Sequence, residues 1–249
     1  MTSPFSRFAN SRAFIRFLRP FFSLRFWKLN YRTLQIKAAK RAWSRPPYAD
    51  YLQFYYSKNV NPFYETIEDK WASIRPIMIE MADLKPGDRV LDLGTGVGFQ
   101  AAAYAGRGHN TVGVDFVLDR LRLAHKKHTL AHMDWTLADA TCLPFPNNAF
   151  EVITISLVLH AMPIDTIRFA LSEIRRVAAR RIVFAEPRMP DHWLYGRIYK
   201  QIVPLFDESI YMRDYLETDF EILLKTVPLR LIEWRWCAHH TLAAYACEV

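Results

Sequence analysis

Glycine is scarce in this chain of 249 residues, yet seven of its eight glycines fall between Gly87 and Gly113. The heart of the cluster is Val90-Leu91-Asp92-Leu93-Gly94-Thr95-Gly96-Val97-Gly98, an apolar run that breaks into alternating glycines. The pattern predicts a buried strand turning sharply into a helix, with Gly94 and Gly96 letting the backbone approach a ligand where a Cβ would collide. Asp115 ends the next apolar run, 21 residues after Gly94. An acid at that place accepts hydrogen bonds from a ribose diol. Asp92, ahead of the glycines, is an awkward neighbour for a pyrophosphate, whereas a cationic cofactor would be drawn to it. The chemistry read from these residues is the holding of an adenosine cofactor. A nicotinamide-dependent oxidoreductase on the same fold is the alternative that Asp92 disfavours. A non-catalytic module that keeps the pocket is a further one.

The motif Asp92-Leu93-Gly94-Thr95-Gly96-Val97-Gly98 resembles the first motif of the class I S-adenosylmethionine-dependent methyltransferases. Val112-Gly113-Val114-Asp115-Phe116 resembles the second motif of that family, and Ala138-Asp139-Ala140 its adenine-side acidic motif. The run Leu143-Pro144-Phe145-Pro146-Asn147-Asn148-Ala149-Phe150-Glu151-Val152-Ile153 is similar to one found in the small-molecule and lipid branch. That branch includes ubiquinone and menaquinone C-methyltransferases, sterol methyltransferases and bacterial phosphatidylethanolamine N-methyltransferases. The resemblance spans about residues 84–186. It implies S-adenosylmethionine as cofactor, with Asp92 near the methionine amino group and Gly94, Gly96 and Gly98 in the turn beneath. It implies Asp115 on the ribose hydroxyls, Phe116 beside the adenine, Asp139 at the adenine amino group and the Ala140 backbone at the ring edge. Ser156, at the end of the fourth strand, joins the cofactor-side set. Two places depart from the family. Ala178-Ala179-Arg180-Arg181 replaces the usual basic-Pro-Gly-Gly turn, and Ser156-Leu157-Val158-Leu159-His160 follows the pattern only loosely.

These residues need a frame to hold them. From about residue 88 the apolar pattern alternates between short runs and helical spacing. Strands are predicted at Arg89–Leu93, Thr111–Val114, Trp135–Leu137, Phe150–Ser156 and Arg181–Ala185. Helices are predicted over Phe99–Arg107, up to about His128, and from about Ile164 to Ala179. Strands separated by helices imply βαβ units and a parallel sheet. Leu229–Trp236 and Leu242–Cys247 read as an antiparallel hairpin, with His239-His240 marking its turn. The expected fold is therefore α/β, Rossmann-like and doubly wound; the family resemblance supplies the count of seven strands. Three regions are expected. They are a basic amphipathic arm (residues 1–45), a Tyr-rich helical cap (46–83) and the cofactor-binding domain (84–249). A lid insertion of one or two helices is expected within the last of these, at 187–227.

Methyl transfer from a sulfonium is an in-line displacement. The protein's task is to align nucleophile, methyl carbon and sulfur and to exclude water. A base is needed only where the nucleophile carries a proton. His160, after the fourth strand, and Tyr195, in the insertion, are the candidate catalytic residues. His192, Tyr199, Tyr51, Tyr55, Tyr56 and Tyr64 are further candidates for substrate contact, although ordinary packing accounts for most residues of this kind. The eight histidines form no H-E-x-x-H pattern and the three cysteines no C-x-x-C pair, so a metal-free site is expected.

The formal charge of +8 is unevenly placed. Residues 1–45 carry eight Arg and three Lys with no acid, so the remainder is slightly acidic. Arg12, Arg16, Arg19 and Ser23 fall on one helical face and Phe14, Phe17, Leu18 and Phe21 on the other, interrupted by Pro20. Cationic on one side and aromatic on the other is the composition of an interfacial helix. The expectation is docking of residues 11–31 on an anionic membrane surface, delivering the site to a small lipophilic substrate. A mitochondrial transit peptide is the main competitor. Nucleic-acid binding is disfavoured because the body has no basic groove. No run of 18 apolar residues occurs. Arginines interrupt any signal-peptide core, and the cysteine usage fits a reducing compartment. The expected location is the cytoplasm at a membrane surface, or the mitochondrion if the arm is a transit peptide.

Overall fold

A computed structural model of the chain describes residues 72–206, 209–237 and 241–249. The basic arm, the four tyrosines Tyr51, Tyr55, Tyr56 and Tyr64, and His239-His240 lie outside the described residues. The elements run in the order α1 (Ile74–Ala82), β1 (Arg89–Leu93), α2 (Phe99–Ala105), β2 (Asn110–Asp115), α3 (Leu118–Lys127), β3 (Met133–Leu137) and β4 (Phe150–Ser156). There follow a short 3-10 turn (Leu159–Ala161), α4 (Ile164–Val177), β5 (Ala178–Pro187), α5 (Trp193–Phe206), α6 (Met212–Glu217), α7 (Phe220–Leu224), β6 (Arg230–Cys237) and β7 (Leu242–Glu248).

The seven strands form one sheet in the order β3-β2-β1-β4-β5-β7-β6. The first five are parallel, and β7 runs antiparallel to both β5 and β6. Central strands are covered on both faces, which is why they read as continuous aliphatic runs rather than as alternation. On one face, α4 buries Ile167, Ala170, Leu171, Ile174 and Val177, spaced three or four apart, together with Phe184, Tyr215, Phe220 and Tyr245. On the other, Ile74, Met78 and Met81 of α1 and Tyr104 of α2 pack on Val90, Val152, Val183, Ala244 and Ala246. The part of the expected cap that is described therefore belongs to a layer of the sheet.

Two local features differ from the sequence reading. The helix predicted to run to about Ala179 ends at Val177, and Ala178 already has strand geometry, so no turn of the family's basic-Pro-Gly-Gly kind intervenes. The two arginines that stand in its place anchor the junction. Arg180 pairs with Asp88 at 2.5 Å and with Asp83, and Arg181 with Glu248. The insertion holds three helices, α5 to α7, where one or two were expected. Asp219 supplies the additional start, its carboxylate accepting from the Glu221 amide at 2.8 Å.

The loop between β3 and β4 is held down by a pair on α4. Arg176 donates to the carbonyls of Phe145 (2.7 Å) and Leu143 (3.0 Å), while Glu173 accepts from the Leu143 amide (2.9 Å) and binds Arg176. Arg176→Ala leaves two part-buried carbonyls without their donor. It is expected to lower the unfolding free energy by about 2 kcal/mol in urea titration. A loss under about 0.5 kcal/mol would show that the loop stands without this clamp.

Candidate active site

The sheet changes direction of winding between β1 and β4, and the crevice at the carboxyl ends of these strands is where open α/β sheets bind ligands. The glycine turn after β1 lies there with Gly94 and Gly96 in left-handed geometry, at φ +70° and +56°. A Cβ on Gly94 would stand 2.2 Å from Val158 Cγ2, so only glycine lets the turn meet the loop after β4. The turn is tied to β2 by two bonds. The Thr95 amide donates to the Val114 carbonyl at 2.9 Å, and the Gly96 amide to Asp115 Oδ2 at 2.8 Å. Asp115 Oδ1 accepts from the Val117 amide, also at 2.8 Å. One buried carboxylate thus fixes both the glycine turn and the start of α3, and each of its oxygens keeps lone-pair capacity for another donor.

A cavity opens over this carboxylate. Its floor is Leu93, Gly94 and Asp115; Phe116, Val117 and Arg120 follow from β2 and α3; Ala138 and Ala140 come from the loop after β3. Leu157, Val158, Ala161 and Met162, all after β4, close the remaining side. Ile210 and Tyr211 of the insertion pack on Phe116 and Ala161. Such a lining fits an adenosine. It offers an acid with spare acceptor capacity for a diol, an aromatic ring and two alanines for a flat base, and aliphatic walls that exclude water.

Of the residues singled out in the sequence, Gly94, Asp115, Phe116 and Ala140 meet at the cavity, and Gly96 stands behind Asp115. The others lie outside that lining. Asp92 is buried, accepting from Thr95 Oγ1 at 2.6 Å and Thr154 Oγ1 at 2.9 Å. Gly98 caps α2 beneath the Trp135 ring. Asp139 turns its carboxylate onto the amide and hydroxyl of Thr141, both at 2.8 Å. Ser156 pairs with Ala185 in the sheet. Tyr195 and Tyr199 stack edge to face within the core, and burial raises the Tyr195 phenol. His192 stacks on the exposed Trp193 ring. No group of three His, Cys, Asp or Glu side chains placed to hold a metal occurs among the described residues. No described helix is long and apolar enough to cross a membrane.

His160 sits in the 3-10 turn beside the cavity, between Val158 and Ala161 of its lining. Its Nδ1 lies 2.9 Å from Oε2 of Glu186, a residue the sequence reading passed over. Glu186 is wholly buried at the carboxyl end of β5, and its Oε1 accepts from the amides of Val158 and Leu159, both at 2.8 Å. The signal was present, since an acid ending the run Ile182-Val183-Phe184-Ala185 must be satisfied by something at the ligand edge. Ser209, also missed, donates to the His160 carbonyl at 2.9 Å.

Comparison with known proteins bears on this geometry. Residues 90–181 match the family model described as a methyltransferase domain. Over these residues the chain is similar to a methyltransferase domain. The chain is 33% identical over 153 residues to a demethylmenaquinone methyltransferase of Paenarthrobacter aurescens, covering 57% of this chain and 58% of that one. It is 36% identical over 110 residues to a 2-phytyl-1,4-naphtoquinone methyltransferase of Synechocystis, covering 41% and 45% of the two chains. The chain thus spans about half the length of these relatives. Among solved structures, a protein of Pyrococcus horikoshii superposes with a TM-score of 0.60 at 15% identity, covering 76% of this chain and 96% of that one. A SAM-dependent methyltransferase of Aquifex aeolicus superposes at 0.56 and 15% identity, covering 82% and 100%. At these identities the superpositions speak for the fold alone. The methyltransferase domain and its cofactor accord with the turn, the strand-end acid and the cavity between them.

The buried acid of the first motif has a measurable consequence. Burial pushes the Asp92 carboxyl up to about 6, against the lowering effect of the Thr95 and Thr154 hydroxyls. Between about pH 4 and pH 6 the folded domain holds a proton that the unfolded chain has released, so this group makes stability fall as pH rises. Glu151 acts in the opposite sense and in a lower window. Arg89 holds it at about 2, so its contribution is lost as pH falls from its ordinary value towards 2. Asp92→Asn is expected to flatten the dependence of melting temperature on pH between about 4.5 and 6, a span worth up to ~2 kcal/mol. An unchanged slope in that interval would mean that Asp92 is ionised throughout.

Proposed function

We propose that this chain transfers a methyl group from S-adenosylmethionine to a small lipophilic acceptor of the quinone type. The observation that carries the reading is the Asp115 carboxylate in the cavity floor, oriented by the Gly96 and Val117 amides and able to accept further donors. The names of the two quinone-directed relatives support the acceptor class. The cofactor supplies an electrophilic methyl group on a sulfonium. Asp115 binds the ribose hydroxyls, Phe116 lies along the adenine, and the Ala140 backbone meets the ring edge. Leu93, Leu157, Val158 and Met162 keep water from the reacting atoms, and Ile210 and Tyr211 close over Phe116. In this reading the basic, aromatic residues 11–31 hold the domain at an anionic membrane surface, where such acceptors reside.

Calorimetric titration tests the cofactor half of the proposal. S-adenosylmethionine is expected to bind and NAD not. Asp115→Ala is expected to weaken S-adenosylmethionine by roughly ten- to hundredfold, from about 1–3 kcal/mol of lost charge-assisted hydrogen bonds. Preference for NAD, or unchanged affinity in the variant, would contradict the placement of the ribose. Co-sedimentation with anionic vesicles, with and without residues 1–45, tests the membrane half; equal recovery in the supernatant would end it.

A further inference from the structure

We propose that Val158 limits the size of the alkyl group that the cofactor carries on sulfur, so that the site takes the S-methyl form and rejects larger ones. This rests on the methyl-transfer reading above and deepens it at the sulfur end of the same cavity. The sheet order gives the bound ligand its direction. Ala138 and Ala140 follow β3, Asp115 and Phe116 stand at the end of β2, Gly94 follows β1 and Val158 follows β4. These strands are neighbours in the order β3-β2-β1-β4. With the base over the alanines and the ribose at Asp115, the rest of the ligand crosses Gly94 towards Val158. The β4 side of the lining is aliphatic throughout, with Leu157, Val158, Ala161 and Met162. A wall of this kind tells ligands apart by size, because it offers their polar groups nothing to bond to.

A size limit requires a wall that does not yield, and Val158 is held on several sides. Its amide and that of Leu159 both donate to Glu186 Oε1 at 2.8 Å, and Glu186 is wholly buried. Leu157, just before it, is left-handed at φ +57°, a conformation that branched L residues rarely adopt and that persists where the surroundings over-determine it. The Leu157 amide is tied to the Ala185 carbonyl at 2.9 Å. Val158 packs on the core that holds α4 and Leu157 on the opposite one that holds α1, so both layers grip the loop. Across the crevice, the three atoms nearest to a Cβ built on Gly94 all belong to Val158, with Cγ2 at 2.2 Å, Cγ1 at 3.1 Å and Cβ at 3.2 Å. The valine methyls therefore lie directly against the glycine turn. A larger group on sulfur at this place must displace either the fixed valine or the turn that Asp115 anchors.

Calorimetric titration of the full chain with S-adenosylmethionine and with S-adenosylethionine, which carries one more carbon on sulfur, reads the limit without turnover. The native protein is expected to favour the methyl form by about 10- to 200-fold, the range for one methylene in an apolar pocket. Val158→Ala is expected to bring the two affinities within about threefold of each other, by admitting the ethyl form while the methyl form still binds. Val158→Thr, which keeps the branch at Cβ, is expected to retain the native preference. A native preference under about threefold overturns the proposal whatever becomes of the variants. A preference in Val158→Ala as large as the native one also overturns it. Equal loss of both ligands in Val158→Ala overturns it too, since the side chain would then only support the turn. A native protein that binds neither ligand defeats the function proposed above and this limit with it.

Discussion

Everything at this site depends on the Asp115 carboxylate and its two backbone donors. The Gly96 amide belongs to the turn after β1 and the Val117 amide to the start of α3, so a single acid joins two loops that the parallel sheet merely brings near each other. The glycines make the turn possible; the carboxylate chooses among the shapes it could take. That ordering of causes matters, because a left-handed turn with no anchor would sample several conformations at little cost.

The acids of the domain divide the work by burial. Asp92 is sealed behind the turn with two hydroxyls, an arrangement that costs stability near neutral pH and holds the first strand against α2. Asp115 keeps acceptor capacity at the cavity, and Glu186 is enclosed by amides and an imidazole. The insertion connects the two ends of the site. Ser209 reaches the His160 carbonyl, and two residues on Tyr211 packs on Phe116 and Ala161, so this segment touches both the Phe116 side of the cavity and the turn that carries His160.

Much of this was legible in the residues alone. The aliphatic runs placed the strands, because two-sided burial leaves a continuous signal, and the Gly94-to-Asp115 spacing pointed to two residues that line the cavity. What escaped the reading depends on contacts far apart in sequence. The departure of Asp92 from the cavity lining follows from Thr154, 62 residues away, and the Glu186 contacts follow from a loop 26 to 28 residues earlier. The direct passage from α4 into β5 was unreadable for the same reason, since Arg180 is anchored by Asp88, 92 residues before it. Local pattern reports which face is buried; it does not report which distant group meets a polar atom there.

The most direct test of the central claim is a crystal structure of the full chain with S-adenosylhomocysteine, the demethylated form of the cofactor. The account requires both ribose hydroxyls within hydrogen-bond distance of the Asp115 carboxylate, with the Gly96 and Val117 amides still bound to it. A ligand seated elsewhere, with Asp115 held by its two amides alone, would contradict it.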